Sequence, residues 1–202
     1  MKKTTVTPLF FLLIPLWVSA QNPDTVQVKI QSESVLLLHG KTNINQFSCR
    51  LNQSFENEVF PIALTRSDSI LTLENARLDL ETASFNCGRR KITKDFISTL
   101  KANDHPHIKL EFGRAWFIYE ETPKGLIPML KAIIEITIGT IKKQYTVPVS
   151  ELDLEGEVLS FSGEQVVSMN DYELVPPSPM MGLIKVRDEI SVQFTLFIKM
   201  MN

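Results

Sequence analysis

The chain has 202 residues, a formal net charge of −2, and charged residues of both signs that make up 22% of the sequence. This length suits one domain with a sizeable hydrophobic core, and the scattered charges lack the clustered basic face typical of nucleic-acid-binding proteins. The densest basic stretch, Arg89-Arg90-Lys91 with Lys94, is short, and we interpret it as a solvated loop.

The first twenty residues have the pattern of a secretory signal peptide. Lys2 and Lys3 precede an apolar run over 9–18, and Ala20 ends a small-residue cleavage site. The run is too short for a membrane-spanning helix, which needs about twenty apolar residues. Gln21 stands where a lipoprotein would carry its lipid-bearing cysteine. We therefore expect residues 1–20 to be cleaved and residues 21–202 to form one periplasmic or secreted domain.

The two cysteines, Cys49 and Cys87, remain after that cleavage. An oxidising compartment favours a disulfide between them, which would close a loop worth about 4 kcal/mol in the chain-entropy model. The alternative is two buried thiols that behave as small hydrophobic residues. Neither cysteine has a spacing typical of a zinc site.

From Thr25 onward, apolar and polar residues alternate with a period of two, which predicts strands with one buried face. Such runs lie at 26–30, 35–40, 70–74, 77–85, 108–119, 132–138, 144–149, 159–167 and 190–198. Thr122-Pro123-Lys124-Gly125 and the segment around Gly156 have the composition of turns between strands.

One segment predicts a short, lid-like helix. Thr93 is a suitable N-cap, Asp95 complements the helix dipole, and Phe96 and Leu100 fall on one face before Pro106. We expect Phe96 and Leu100 to lie at the barrel mouth and to gate it.

The stretch 169–182 contains Pro176, Pro177 and Pro179, which exclude a central strand because proline lacks an amide hydrogen. It is therefore predicted to be a structured loop between the last two strands, and we call residues 169–182 the late loop. Its apolar residues are expected to pack inward and close one end of the domain.

Consecutive antiparallel strands with short connections either pack as two sheets or close into a barrel, and closure removes exposed edges. We therefore predict an all-β fold: a lipocalin-like antiparallel barrel of about eight strands with one short helix. A barrel of that size has room for one small ligand.

Several segments, taken in chain order, resemble the YceI-like family of secreted bacterial proteins, and the resemblance covers nearly all of the chain after residue 20. They are the Gly-Lys-Thr-Asn turn within 34–49, the helix at 94–102, the Pro-x-Ile-x-Leu-x-Phe strand at 105–112, the strand at 136–143 and the late segment 168–189. Two details depart from the family pattern. Tyr172-Glu173-Leu174 stands where Phe-Gly is frequent, and His105 and His107 flank a proline that usually has an aromatic neighbour.

The resemblance implies an extended lipocalin-like barrel with an isoprenoid-like or other amphiphilic lipid inside. We accordingly expect a periplasmic or secreted binding protein that carries or sequesters such a lipid. A long apolar chain taken from water would exceed the practical limit of affinity, so transient contact with a membrane donor is expected. The alternative is a structural or interaction module whose barrel is filled by its own side chains.

The sequence offers little that indicates catalysis. His39, His105 and His107 are the only imidazoles, and the last two are interpreted as loop residues beside a proline, although His-x-His on one strand face could bind a metal. There is no Gly-x-Ser-x-Gly elbow, and neither cysteine falls in a recognised nucleophile signature. We expect no enzymatic activity, cofactor, metal or nucleic-acid partner.

Aromatic, leucine and methionine side chains at strand ends, in the helix and in the late loop are the candidate ligand contacts, although each could equally fill the barrel. The candidates are Phe47, Phe85, Phe96, Leu100, Phe112, Trp116, Phe161, Tyr172, Met180 and Met181. Tyr172 and Met181 are expected to touch the ligand, with the Tyr172 hydroxyl available to a polar head group.

Overall fold

The computed structural model describes residues 24–56, 58–67, 70–123, 125–153, 156–178 and 181–201. The predicted signal peptide and Met180 lie outside these residues. The elements are β1 (Asp24–Ile30), β2 (Val35–Thr42), β3 (Gln46–Leu51), β4 (Phe60–Ser67), β5 (Ile70–Glu74), β6 (Arg77–Glu81), β7 (Phe85–Asn86), α1 (Arg90–Thr99), β8 (His107–Thr122), β9 (Gly125–Ile138), β10 (Ile141–Asp153), β11 (Val158–Ser168) and β12 (Val186–Met201).

The twelve strands form one antiparallel sheet that closes on itself. The closed ring has the order β1-β4-β5-β8-β9-β10-β11-β12, and β12 pairs back with β1. The predicted eight-stranded antiparallel barrel with one short helix is therefore confirmed.

Two strands of the ring, β8 and β12, are long enough to pair with two neighbours on the same side. Residues 186–195 of β12 pair with β2, whereas residues 198–201 pair with β1. Residues 107–111 of β8 pair with β6, whereas residues 114–116 pair with β5. The barrel consequently has two halves that share β8 to β12: the α1 half, completed by β2, β3, β6, β7 and α1, and the β1 half, completed by β1, β4 and β5.

In the α1 half, the segment from β6 to β7 moves from β8 to β3. Only two residue pairs join β3 to β7, Arg50 with Asn86 and Leu51 with Phe85. Cys49 and Cys87 stand at the next register position, and their sulfur atoms form a disulfide.

Above this short ladder, the side chain of Gln53 connects the end of β3 to β6. Its amide nitrogen donates to the carbonyl of Asp79 at 3.0 Å, and its amide oxygen accepts from the N–H of Glu81 at 2.7 Å. The side-chain amide thus takes the place of a backbone peptide group in the barrel wall.

Sequence reasoning misplaced the start of α1. The helix begins at Arg90 and not at Thr93, so the basic stretch that we interpreted as a loop extends into its first turns. The Thr93 hydroxyl does not cap the helix because it accepts a hydrogen bond from the Cys87 amide at 3.0 Å. Tertiary contact with the disulfide segment therefore outweighs the local capping preference of threonine.

Three other local predictions also differ from the structure. The predicted run 77–85 is interrupted by a 3₁₀ turn at Thr82–Ser84, where the chain moves from β8 to β3. Strands β3 and β4 were not predicted. In β4, Pro61 sits inside the strand, and proline demotes a sequence that otherwise reads as a strand.

Candidate functional site

A cavity of about 540 Å³ lies inside the α1 half of the barrel. Its volume falls in the range of small-molecule sites, roughly 300–1,000 Å³. The walls are mainly aliphatic side chains that project inward from alternate positions of the strands. They include Leu36, Leu38, Leu78, Leu80, Ile108, Leu110, Ile134, Ile136, Ile138, Val147, Val167, Ile190 and Val192.

Helix α1 covers one side of the cavity. Ile92, Phe96 and Leu100 are spaced by four residues, so they lie on one helix face, and all three line the cavity. The Phe96 ring is tilted against that of Phe85, with the ring centroids 5.3 Å apart. Because the disulfide at Cys87 precedes the first helical turn, the N-terminal end of α1 is linked covalently to β3.

The cavity meets the surface between the β2–β3 turn and the start of α1. Of the residues that line it, Ile44, Asn45, Gln46 and Arg89 are exposed, whereas the others are buried or half-buried. We call these four residues the mouth. An apolar chain would lie inside the barrel while a polar end group remained near the Arg89 guanidinium and the two amide side chains.

Tyr172 lies deep at the cavity wall, in the 3₁₀ turn Asn170–Tyr172 that follows β11. Only 2% of its surface is exposed, and its hydroxyl donates a hydrogen bond to the Ile136 carbonyl at 3.3 Å. Burial, and next the neighbouring Tyr145 hydroxyl, raise the pKa of Tyr172 well above its usual range. The hydroxyl that we expected to face a head group therefore has a partner within the protein.

The structure brings half of the predicted ligand contacts together. Phe47, Phe96, Leu100, Phe112 and Tyr172 line the cavity. The Phe47 ring packs over Gly40 on the neighbouring strand, where a Cβ atom would overlap the ring.

Trp116 lies outside the cavity because of a bulge in β8. The register against β9 shifts between Phe112, which pairs with Ile134, and Ala115, which pairs with Ala132. One extra residue reverses which positions face inward, so Trp116 shares the outer face with Lys131 and Ile70. The strict alternation assumed from sequence placed Phe112 and Trp116 on the same face.

The remaining candidates occupy three other environments. Phe85 is 2% exposed and packs beneath α1 as part of the protein core. Phe161 is paired with Leu196 in the inner face but lies beyond the cavity, toward the β1 half. Met181 is fully exposed, and Val175 and Leu183 are largely exposed. Among the described apolar residues of the late loop, Met169, Tyr172 and Leu174 are the ones that pack inward as expected.

The aliphatic walls were missed because sequence reasoning concentrated on aromatic and methionine side chains. The signal that finds them is the alternation within the strands, such as Ile134, Ile136 and Ile138 of β9. That signal gives a face only once the strand register and the bulges are known.

The histidines and acidic residues do not converge in the described part of the chain. No group of three or more His, Cys, Asp or Glu side chains there could hold a metal ion. His39 instead interacts with Ser48 at 2.8 Å and with Gln193 at 3.1 Å across the outer face of β2, β3 and β12. No helix among the described residues is long and apolar enough to cross a membrane.

Comparison with known proteins finds similarity in structure alone: no family model and no curated protein matches the sequence. Burkholderia cenocepacia BcnA has a TM-score of 0.54 at 14% identity, over 82% of this chain and 96% of that protein. A polyisoprenoid binding domain from Saccharophagus degradans, implicated in plant cell wall breakdown, has a TM-score of 0.55 at 10% identity, over 85% and 97%.

A Campylobacter jejuni YCEI protein covers 98% of this chain at 12% identity, with a TM-score of 0.41 that is too low to support a conclusion. At sequence identities of 10% and 14%, the similarity to the first two structures shows a shared fold and nothing more specific. The lipocalin-like fold implied by the resemblance to the YceI-like family is confirmed.

Proposed function

We propose that this chain is an exported binding protein that holds an apolar or amphiphilic lipid, such as an isoprenoid, in the cavity of its α1 half. The observation that carries the proposal is a cavity of about 540 Å³ walled by aliphatic side chains inside the barrel. A barrel filled by its own side chains, the alternative considered from sequence, would leave no such space. The polyisoprenoid-binding neighbour from Saccharophagus degradans supports the same class of ligand.

The chemistry of the walls favours binding over catalysis. Leu38, Leu80 and Ile108 are buried in the wall and have no ionisable group to activate a substrate. Arg89 and Asp95 are the charged side chains among the residues that line the cavity. A single cation at the mouth is suited to hold a polar end group, whereas acid–base catalysis needs groups of matched pKa in contact with the reacting atoms.

The lipid is expected to exchange with a membrane and not with water. Each methylene moved from water into the cavity contributes about 0.8 kcal/mol, so transfer of a long chain from water would surpass the observed limit of affinity near 20 kcal/mol. In a bilayer the chain is already in an apolar medium, so exchange is nearly neutral in hydrophobic free energy. Carriage or sequestration, together with export directed by residues 1–20, is the role that we propose.

Two matched variants on β9 test whether lipid occupies the cavity. Ile134 faces inward and lines it, whereas its neighbour Ile133 pairs with the exposed Thr146 on the outer face. Protein isolated from the periplasm without detergent is extracted, and its lipids are measured by mass spectrometry. Ile134→Trp should obstruct the cavity and lower the amount of bound lipid, while Ile133→Trp should retain it. Wild-type protein without lipid, or equal lipid in both variants, would refute the proposal.

Phe96→Ala tests the lid. The Phe96 ring contacts Phe85 on one side and the cavity on the other, so we expect its removal to cost about 2 kcal/mol, below the 3–5 kcal/mol of a fully packed phenylalanine. Lipid should dissociate faster from this variant than from wild-type protein. Unchanged stability and unchanged lipid retention would show that α1 does not act as a lid.

A further inference from the structure

The rim of the cavity mouth exposes apolar side chains that the fold does not use. Ile44, Val175, Met181 and Leu183 are 69% to 104% exposed, although all four are large and hydrophobic. Single exposed apolar residues are ordinary, whereas several around one opening mark an interaction surface. Ile44 also lines the cavity, so this apolar surface is continuous with the interior of the barrel.

Hydrogen bonds join the segments that carry Ile44 and Leu183 on one side of the mouth. The side-chain amide nitrogen of Asn43 donates to the Leu183 carbonyl at 3.0 Å, and its oxygen accepts from the Lys185 amide at 2.9 Å. The Asn43 amide donates in turn to the Lys185 carbonyl at 3.1 Å. The β2–β3 turn and the end of the late loop therefore form one unit, which brings Ile44 and Leu183 together.

The opposite side of the mouth is basic. Arg89, Arg90, Lys91 and Lys94, with Lys185 on the apolar side, are exposed and have no ion-pair partner within 4.0 Å in the described part of the chain. Arg90 and Lys91 lie in the first turn of α1, where cations oppose the helix dipole, so these two charges do not serve the stability of the helix. We call these five residues and the four exposed apolar residues the mouth surface.

The opposite end of the barrel provides an internal comparison. Tyr119 and Leu126, on either side of the β8–β9 turn, are 70% and 69% exposed, so large apolar side chains are exposed at this end too. Among the described residues, their exposed charged neighbours along the chain are Glu120 and Glu121. Apolar side chains are thus exposed at both ends. Among the described residues, two acids directly adjoin them at this end, whereas the cluster of cations adjoins them at the mouth, where the late loop also carries the exposed acids Asp171 and Glu173.

We propose that the mouth surface docks on an anionic lipid bilayer, with the apolar side chains in the interfacial region and the basic residues against the head groups. This inference rests on the proposed lipid-holding function. It adds that an anionic bilayer is the lipid donor and that the ligand enters through the mouth surface. An apolar tip combined with cations is the combination that binds anionic interfaces, and each Lys or Arg near such a surface contributes about 1 kcal/mol. The cavity would then open directly into the bilayer.

Co-sedimentation with vesicles tests the docking. Wild-type protein should bind vesicles of equal parts phosphatidylcholine and phosphatidylglycerol, and bind pure phosphatidylcholine far more weakly. Arg90→Gln with Lys94→Gln should weaken binding to the anionic vesicles roughly 25-fold, about fivefold for each charge. Met181→Ser with Leu183→Ser should weaken it by at least about tenfold. None of these four residues lines the cavity.

Control variants carry similar changes away from the mouth. Tyr119→Ser with Leu126→Ser removes two other largely exposed apolar side chains, and Arg66→Gln with Arg114→Gln removes two exposed charges. Both control variants should bind anionic vesicles as the wild type does. The transfer rate of lipid from vesicle to protein should fall only in the mouth-surface variants, whose lipid content at equilibrium should stay unchanged.

The outcomes separate this proposal from the proposed function. Lipid-loaded protein that does not bind anionic vesicles would overturn the docking and leave the lipid-holding function intact. A concentration-dependent dimer that dissociates in Met181→Ser with Leu183→Ser would also overturn it, because a second copy would then be the occupant. Protein that binds vesicles through the mouth surface yet never contains lipid would refute the holding function and support the docking surface.

Discussion

In the β1 half of the barrel, β1 joins its neighbours through four residue pairs with β12 and five with β4, whereas in the α1 half β3 joins β7 through two. The α1 half replaces the missing ladder with the Cys49–Cys87 disulfide and the Gln53 amide. The cavity lies in this second half. A wall closed by a few side chains and one covalent bond leaves room for a lid, which a continuous ladder does not.

The difference between the halves also predicts where the barrel opens. Local opening occurs where few backbone hydrogen bonds and few buried contacts hold a segment. Helix α1 fits this description, since no residue between Arg90 and Thr99 is fully buried. In the β1 half, Val28 is buried between the ladders with β4 and β12, and Ile30 is buried in the ladder with β12.

Of the changes that test this difference between the two halves, removal of the disulfide should have the largest effect on stability. Cys49→Ala with Cys87→Ala releases a loop whose ends are 38 residues apart, so we expect the free energy of unfolding to fall by about 4 kcal/mol. Hydrogen exchange should accelerate in α1 far more than in β1, and bound lipid should be lost. Urea unfolding and mass-spectrometric hydrogen exchange measure both effects.

A control for that variant is Ile30→Ala, which truncates a buried side chain of β1 at a cost of about 3 kcal/mol. It should lower global stability by a similar amount without selective exchange in α1. If both variants accelerated exchange equally in the two halves, the covalent closure would have no local role.

Gln53→Ala is expected to have the next largest effect. It deletes two hydrogen bonds to the backbone of β6, each worth about 1 kcal/mol, so the free energy of unfolding should fall by about 2 kcal/mol. Gln27→Ala on the exposed face of β1 should change it by about 0.5 kcal/mol or less. Equal effects in the two variants would show that the side-chain amide does not close the wall.

Tyr172→Phe should have the smallest effect at neutral pH, about 1 kcal/mol for one hydrogen bond to the Ile136 carbonyl. Its effect depends on pH because the pKa of Tyr172 is raised in the folded state. The protonated Tyr172 hydroxyl contributes its full stabilisation at pH values below the pKa of tyrosine in the unfolded chain, which is about 10. Above it the unfolded chain loses the proton first, so wild-type stability falls as pH rises toward the folded pKa.

Unfolding titrations in urea at several alkaline pH values measure this slope. The wild type should lose more stability above pH ~10 than Tyr172→Phe does. Parallel curves for the two proteins would show that the Tyr172 hydroxyl is not buried in solution.

The sequence alone determined the fold class, because period-two alternation is a local property that each strand carries by itself. It also predicted a helix with Phe96 and Leu100 on one face, because that arrangement depends only on local spacing. The start of α1 was wrong because the partner of Thr93, the Cys87 amide, is a tertiary contact. Local propensity contains no information about a hydrogen bond that forms outside the helix.

Which residues line the cavity also depended on tertiary structure, for a similar reason. A one-residue bulge between Phe112 and Ala115 decides that Phe112 lines the cavity and Trp116 does not, and alternation in the sequence continues unchanged across it. The cavity itself depends on which strands share β8 and β12, and so on pairings between distant residues. The sequence determines which residues are apolar. Only the pairing register of the strands in the closed barrel determines which of these residues line the cavity.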